Sequence, residues 1–316
     1  MDDMDKKSEL SDTISRKILM KPRDASEQGV FNPGAFYDSK NNRLYLFPRV
    51  ENAEGISTIG YAEGHFQDNE IVIDYWKKEP IMHNKGFHSL EDPRVTQIDG
   101  SFYLTCTAYD GRNARVALAE SNDLKNWVYK GIISPDSVDS KNVILFPEKV
   151  NKSFCSIFRF IPDMYLFSFK SLENLDSSAF WTPRLKKLEK HVLLRAGTEP
   201  WMNYRVGAGA PPIKTGKGWL LVHHGAEVKE KIVYCAGAVL LDLENPGKIL
   251  GRTKKPLIKP GEKWETSREN KKVVFPTAAI VKDENLHFIY GAGDWCVGHA
   301  FMPLEEVIRK CEPVYT

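Results

Sequence analysis

No apolar run in this sequence approaches the roughly 20 residues that a membrane-crossing helix requires. Cysteine is scarce and scattered. Cys106, Cys155, Cys235, Cys296 and Cys311 have neither the CxxC spacing of a metal site nor the even count of a disulfide framework. A reducing, cytoplasmic compartment is the expectation that follows. Neither sign of charge prevails: the formal net charge is +2 and no long Lys/Arg run occurs, which argues against nucleic acid or a membrane surface as the main partner. The opening stretch MDDMDKKSELSD is acidic and polar, unlike a secretory h-region. No grouping of His, Cys and Asp has metal-ligand spacing, so no metal is expected. The glycine-rich GAGAPP from Gly207 lacks the GxGxxG spacing, and Pro211 and Pro212 forbid the helix that a dinucleotide-binding loop must open.

Helical patterns are few as well. ELSDTISRKIL near the start and LEEVIRK, Leu304 to Lys310, are the amphipathic candidates and are expected as short terminal helices. What fills the rest is β-signal. Five segments share one plan: FNPGAFYDSKNNRLYLFPRV, LEDPRVTQIDGSFYLTCTAYD, ILFPEKVNKSFCSIFRF, GAGAPPIKTGKGWLLVHHG and VVFPTAAIVKDENLHFIYGAGD. Each has a Pro- or Gly-marked entry, an apolar strand, a polar turn (DSKNN, IDG, NKS, TGKG, KDEN) and a second apolar strand, which is hairpin chemistry. The segments recur roughly every 54 to 67 residues, room for about four strands each. Four-stranded units repeated about an axis make a β-propeller, and five repeats imply five blades. A β-sandwich would not explain one hairpin type recurring five times. A closed ring has no natural linker, so residues 1–316 are expected as a single domain with a blade core of about 29–301. Aromatic residues make up 11%, which suits a β-core and also a sugar-binding cleft.

Taken together, EDPR before a strand, LFPEK, GAGAPPIKTGKGWLLVHHG, GAVLLDLENPGKILGRTKKPL and VVFPTAAIV with YGAGD resemble glycoside hydrolase family 130, the mannoside phosphorylases and related β-mannosidases. The resemblance runs from about Gly29 to Phe301 and implies a five-bladed β-propeller. Its chemistry has clear requirements. Breaking a glycosidic bond needs an acid to protonate the leaving oxygen, and an inverting hydrolase needs a second carboxylate to activate water. Inorganic phosphate is already anionic and needs no base; it needs cations to hold it near the anomeric carbon. A phosphorylase should therefore have one catalytic carboxylate and several basic side chains converging on it.

By resemblance, Asp92 of EDPR is the general acid, its proton travelling through a hydroxyl of the mannosyl ring. Pro93 is expected to hold Asp92 in extended backbone, and Arg94 and Glu91 to orient the carboxylate or to pair with each other. The resemblance assigns phosphate binding to Lys141 ahead of LFPEK, Arg159 in SIFRF, Arg205 before VGAGAPPI, and His224 of HHG. Arg159 departs from the family setting in being flanked by Phe158 and Phe160, and His223 stands where the family has tyrosine. Sugar-binding candidates are Asn32, Arg49, Arg94, Asp110 (equally readable as a turn cap), Glu265 and Asp294. Glu265 also marks the hydrolytic alternative. The function implied is inverting phosphorolysis of β-mannosides to α-D-mannose 1-phosphate, reversible, with phosphate as co-substrate and no cofactor. A β-mannosidase using water, a mannosyltransferase using GDP-mannose and a non-catalytic carbohydrate-binding propeller stay open, as do linkage and a homo-oligomeric state.

Overall fold

A computed structural model describes residues 14–82, 84–267 and 269–314. The chain is an all-β fold; among these residues there are two α-helices, α1 (Ser178–Leu185) and α2 (Leu304–Lys310). The strand β1 (Arg16–Met20) comes first. Five antiparallel modules then follow in chain order. The first holds β2 (Glu27–Asp38), β3 (Arg43–Asn52), β5 (Ala62–Gln67) and β6 (Glu70–Trp76), with the short β4 (Ser57–Ile59) on β3. The second is β7 (Ser89–Ile98), β8 (Ser101–Tyr109), β9 (Ala114–Ser121) and β10 (Val128–Ile132). The third is β11 (Ser140–Leu145), β12 (Phe154–Phe160), β13 (Asp163–Phe169) and β14 (Val192–Leu194). The fourth is β15 (Arg205–Ala208), β17 (Gly218–Val228), β18 (Ile232–Leu241) and β19 (Ile249–Thr253), with β16 (Ile213–Thr215) on β17. In the fifth, β20 (Lys272–Lys282), β21 (Asn285–Ala292) and β22 (Cys296–Pro303) are completed by β1, and β23 (Cys311–Pro313) lies along β19. A two-residue parallel pairing of β18 with β20 fuses the fourth and fifth modules into one sheet.

Local chemistry accounts for the hairpins. Asp99-Gly100 and Asp283-Glu284 join paired strands, and Asn151-Lys152 joins the bridged residues Val150 and Ser153, all as two-residue turns in which both residues have positive φ. That is the type I′ geometry whose twist matches the flanking strands. Strand alternation then sends side chains to two faces. On β17, Leu220 and Val222 join the core shared with the fifth module, while Trp219 and Leu221 join the core shared with the third. The same division holds throughout. Five apolar clusters lie between modules one and two, two and three, three and four, four and five, and five and one. The last contains Val30, Leu44 and Leu46 beside Ala278, Ile289 and Val297. A fully buried residue of this kind contributes about 1.5–3 kcal/mol, so each junction is a substantial adhesive surface.

LEEVIRK is the helix α2. The expected N-terminal helix is not found. Residues 9–13 lie outside the described residues, and Arg16–Met20 is the strand β1, whose Arg16, Lys17 and Ile18 pair with Ala300, His299 and Gly298 of β22. The open edge of β22 offers a ladder of hydrogen bonds that outweighs the modest helical preference of so short a segment.

Candidate active site

The first strands of modules one, two and three, β2, β7 and β11, share one irregularity. On β7, Glu91 stands opposite Thr107 and Arg94 opposite Thr105, so Asp92 and Pro93 together face a single residue of β8. The same two-for-one bulge falls at Asn32-Pro33 on β2 and at Asn142-Val143 on β11. Asn32, Asp92 and Asn142 take φ of +45°, +51° and +56°. After glycine, Asn and Asp are the residues that best tolerate this left-handed region. The extended backbone expected of Asp92 is therefore wrong: the bulge requires a left-handed residue, and that demand overrides the usual preference of a residue before proline.

Asp92 is buried, and its Oδ1 accepts from Asn32 Nδ2 at 2.8 Å and pairs with Arg49 Nη1 at 3.3 Å. Gly291 permits the Asn32 side of this contact, because a Cβ there would lie 1.6 Å from Asn32 Oδ1. Burial works against ionisation of Asp92, but Arg49, Arg94 and the hydrogen bond from Asn32 outweigh it and hold the carboxyl below its ordinary range. Arg94 does not pair with Glu91, as one expectation had it. Its guanidinium is buried and donates to the main-chain carbonyls of Asp92, Gly209 (3.1 Å) and Ala208 (3.4 Å), tying the second module to the fourth. Glu91 instead receives Lys141 Nζ at 3.0 Å and Arg49 Nη1 at 3.4 Å.

A second group of charges lies beside this one. Lys141 and Arg159 are register partners on β11 and β12. Strand alternation turns Phe158 and Phe160 into the core around Phe167 and Trp181, so the unusual flanks of Arg159 are packing residues. Arg159 itself is 4% exposed, its Nε has no partner, and burial together with nearby Arg205 brings it down to about 10. Arg205 lies over the Tyr204 ring at 4.1 Å, and its buried Nε is also unpartnered. Among the described residues no carboxylate pairs with either arginine. His224 is fully buried against Phe275, ring centroids 4.1 Å apart, and neither ring nitrogen has a partner. Burial and then Arg159 and Arg94 push His224 far below the usual imidazole range, so it is neutral and offers one N–H. Gly207 makes room for this pair: a Cβ there would sit 2.5 Å from the His224 ring and 3.2 Å from Arg159 Cδ. His223 turns the other way, stacks on Trp201 at 5.4 Å and is held down to about 4 by burial, a core imidazole.

The sequence reasoning missed Tyr234. Its phenol is raised by burial against the opposing pull of Arg205 and Arg159, so a neutral hydroxyl stands with the cations. The available signal was its place in VYCAGA on β18, which pairs with His224's strand.

A cavity of about 250 Å³ adjoins Arg49 and is lined by Phe31, Glu51, Lys271 and Asp294 among others. Arg49 lies 4.7 Å from the Phe31 ring centre, and Asp294 has φ +55° after Gly293. Asp294 opens onto this cavity, and desolvation raises it to about 6 against the opposing effects of Arg49 and Lys271. Asn32, Arg49 and Asp294 thus come together near Asp92. Three other sugar-binding candidates do not join them at the cavity, and the first, Arg94, is buried and committed to the main-chain carbonyls of Asp92, Gly209 and Ala208. Asp110 is exposed and accepts from the backbone N–H groups of Arg112 and Asn113 at 2.8 and 2.7 Å, a turn cap. Glu265 is fully buried and already occupied: Arg16 at 2.9 Å, the Tyr290 hydroxyl at 2.9 Å, and the N–H groups of Gly261 and Glu262. It fastens β1 to the fifth module, and neither the sugar-binding role nor the hydrolytic one suits a carboxylate so engaged.

A family model described as β-1,4-mannooligosaccharide phosphorylase, glycoside hydrolase family 130, matches residues 5–313. The 1,2-β-oligomannan phosphorylase of Thermoanaerobacter sp. (strain X514) is 32% identical over 310 residues, covering 93% of this chain and 97% of the relative. The β-1,4-mannooligosaccharide phosphorylase of Ruminococcus albus is 29% identical over 327 residues, covering 96% and 92%. Among solved structures, a complex of β-1,2-mannobiose phosphorylase from Listeria innocua with β-1,2-mannobiose superposes with a TM-score of 0.74 at 23% identity, over 93% of this chain and 96% of that one. At that identity it speaks to the fold alone.

Proposed function

The chain belongs to glycoside hydrolase family 130, and from that premise we propose that it is an inverting β-mannoside phosphorylase releasing α-D-mannose 1-phosphate. One observation carries the reading. A single carboxylic acid on a left-handed bulge, Asp92, lies in the field of Arg159, which in turn neighbours Arg205 and His224, and the Nε atoms of both arginines and both imidazole nitrogens have no protein partner. Buried donors without partners are costly unless a ligand satisfies them, and phosphate supplies several acceptor oxygens at once. The two arginines bind it through their planar forks, with the neutral imidazole of His224 and the Tyr234 hydroxyl adding donors. Lys141 joins them from the neighbouring strand.

In the reaction a phosphate oxygen attacks the anomeric carbon, the glycosidic C–O bond breaks with inversion, and the proton of Asp92 reaches the departing oxygen through a mannosyl hydroxyl. Asp92 must carry that proton when substrate is bound. The cations around the free carboxylate disfavour protonation; bound phosphate offsets their charge, so nucleophile and proton donor are assembled together. Asn32, Arg49 and Asp294 hold the mannosyl unit. Hydrolysis would call for a second carboxylate placed to activate water; Glu91 and Glu265 are each engaged by cations, and this reading gives Asp294 on the cavity to the mannosyl unit.

On the same premise the five modules are the blades of a propeller forming one domain. Support comes from the five intermodular cores that return from the fifth to the first module, and from β1 completing the last blade beside β22. The cysteines are free and buried, in keeping with a cytoplasmic address. The test of function is incubation with β-1,2- and β-1,4-mannobiose, with and without phosphate. Mannose 1-phosphate, α by NMR, forms only with phosphate. Free mannose released equally in both cases overturns phosphorolysis.

A further inference from the structure

Glu91 has no role in the mechanism above, yet it sits inside the site. It is buried, adjoins Asp92 in sequence, and engages only cations of the site: Lys141 at 3.0 Å and Arg49 at 3.4 Å. Arg49 Nη1 lies almost midway between the two carboxylates, 3.3 Å from Asp92 and 3.4 Å from Glu91. At these separations each pair of charges interacts strongly in a poorly solvated site. Resting on the phosphorylase reading, we propose that Glu91 is a positioning residue that ties down Arg49 and Lys141, so that these cations neither strip the proton from Asp92 nor over-bind inorganic phosphate.

The argument is one of charge. Asp92 faces Arg49 from β3, Arg94 from its own strand, Lys141 from β11, Arg159 from β12, and Asp294 across the cavity, with the Cys106 thiol of β8 alongside. Four cations against one neighbouring carboxyl would leave Asp92 an ion even in the presence of phosphate. Glu91 supplies the missing negative charge beside two of the four. Its second consequence concerns the nucleophile. Lys141 reaches phosphate only by loosening its hold on Glu91, so the glutamate competes with phosphate for this ammonium and makes release of mannose 1-phosphate easier.

Replacing Glu91 with Gln keeps the shape and a hydrogen-bond acceptor while deleting the charge. Two shifts of opposite benefit are expected. The KM for phosphate falls about three- to tenfold as Lys141 is released. The basic limb of the kcat–pH profile moves toward acid by about one unit, a tenfold loss of kcat above the limb. The KM for mannobiose moves less than the KM for phosphate, since of the residues that hold the mannosyl unit Glu91 meets Arg49 alone. A merely structural Glu91 gives a lower melting temperature with the phosphate KM and the pH limb unmoved, and that result overturns the proposal. In the Lys141→Met background the gain in phosphate affinity should shrink; an undiminished gain also overturns it. If Glu91→Gln does not fold, Glu91→Asp, one methylene shorter, should move both readouts in the same directions by less, and no movement counts against the proposal. A wild-type enzyme indifferent to phosphate refutes the phosphorylase reading itself; a phosphate-dependent wild type with an unmoved Glu91 variant refutes only this inference.

Discussion

The two halves of the site are built on opposite rules. Around Asp92 each charged group meets protein: Asn32 and Arg49 on the carboxylate, Lys141 and Arg49 on Glu91, three carbonyls on Arg94. Around His224 the reverse holds, with both imidazole nitrogens and the Nε atoms of Arg159 and Arg205 buried and unpartnered. Groups fully satisfied by their own protein are held in place and tuned. Groups left unsatisfied in the interior store an affinity that only a ligand can discharge. The acid half should therefore respond to mutation in both activity and stability, and the cationic half mainly in ligand affinity.

The largest effect tests the acid half. Asp92→Asn keeps the shape and the acceptor for Asn32, but it cannot donate a proton to a leaving group. We expect kcat to fall about 10³-fold or more, at the upper end of what general acids contribute. The variant also leaves Arg49 and Arg94 facing one fewer negative charge, so its melting temperature should drop by an amount corresponding to about 1–3 kcal/mol. Steady-state phosphorolysis and thermal unfolding read the two quantities. If kcat survives within tenfold, the acid is another carboxyl of the cavity, Asp294 first.

A matched pair comes next. Arg159→Met removes a cation that forms no salt bridge with a described carboxylate, so stability should hold or rise slightly while the phosphate KM increases about 100-fold, the value of a strong charge-assisted contact. Arg49→Met removes a cation shared by Asp92, Glu91 and Glu51. It should unfold several degrees lower and damage kcat more than phosphate affinity. Phosphate titrations and melting curves on both variants decide the matter; identical patterns would erase the distinction between the halves.

How far the sequence disclosed this depended on how local each signal was. The hairpins were legible because turn pairs such as Asp99-Gly100 carry their geometry in their own residues. LEEVIRK was legible for the same reason, whereas Ile14 to Met20 was not, since its strand exists only because β22 has a free edge. The site divides similarly. Asp92, Arg159 and His224 are proposed from motifs that resemble the family's, each read from a short stretch of chain. The left-handed backbone of Asp92 could not be read that way, because a two-for-one bulge is a property of two paired strands. Glu265 looked available in EKWETS, yet its partner Arg16 lies 249 residues away in sequence. For Glu91 the sequence offers only its neighbours Asp92 and Arg94, because its partners Arg49 and Lys141 belong to other modules.

The smallest expected effect asks to which half Asp294 belongs. It shares the field of Arg49 with Asp92, but the two carboxyls are driven apart, Asp92 below the usual range and Asp294 up to about 6. The sign for stability follows from the direction. A carboxyl whose folded-state affinity for a proton exceeds its unfolded value of about 3.9 favours folding when protonated. That contribution is complete below about pH 4 and is lost as pH rises through about 6, when folding must accommodate the ion. Asp294→Asn is neutral throughout. The melting temperature of the variant relative to wild type should therefore rise between pH 4 and pH 7 and level off above. The gain should stay below about 1 kcal/mol, because Asp294 opens onto a cavity where water screens it. Parallel melting curves across this range would mean that Arg49 and Lys271 neutralise Asp294 as fully as Arg49 and Arg94 neutralise Asp92. Asp294 would then belong to the tuned half, and the boundary between the two halves would have to be moved to the far side of the cavity.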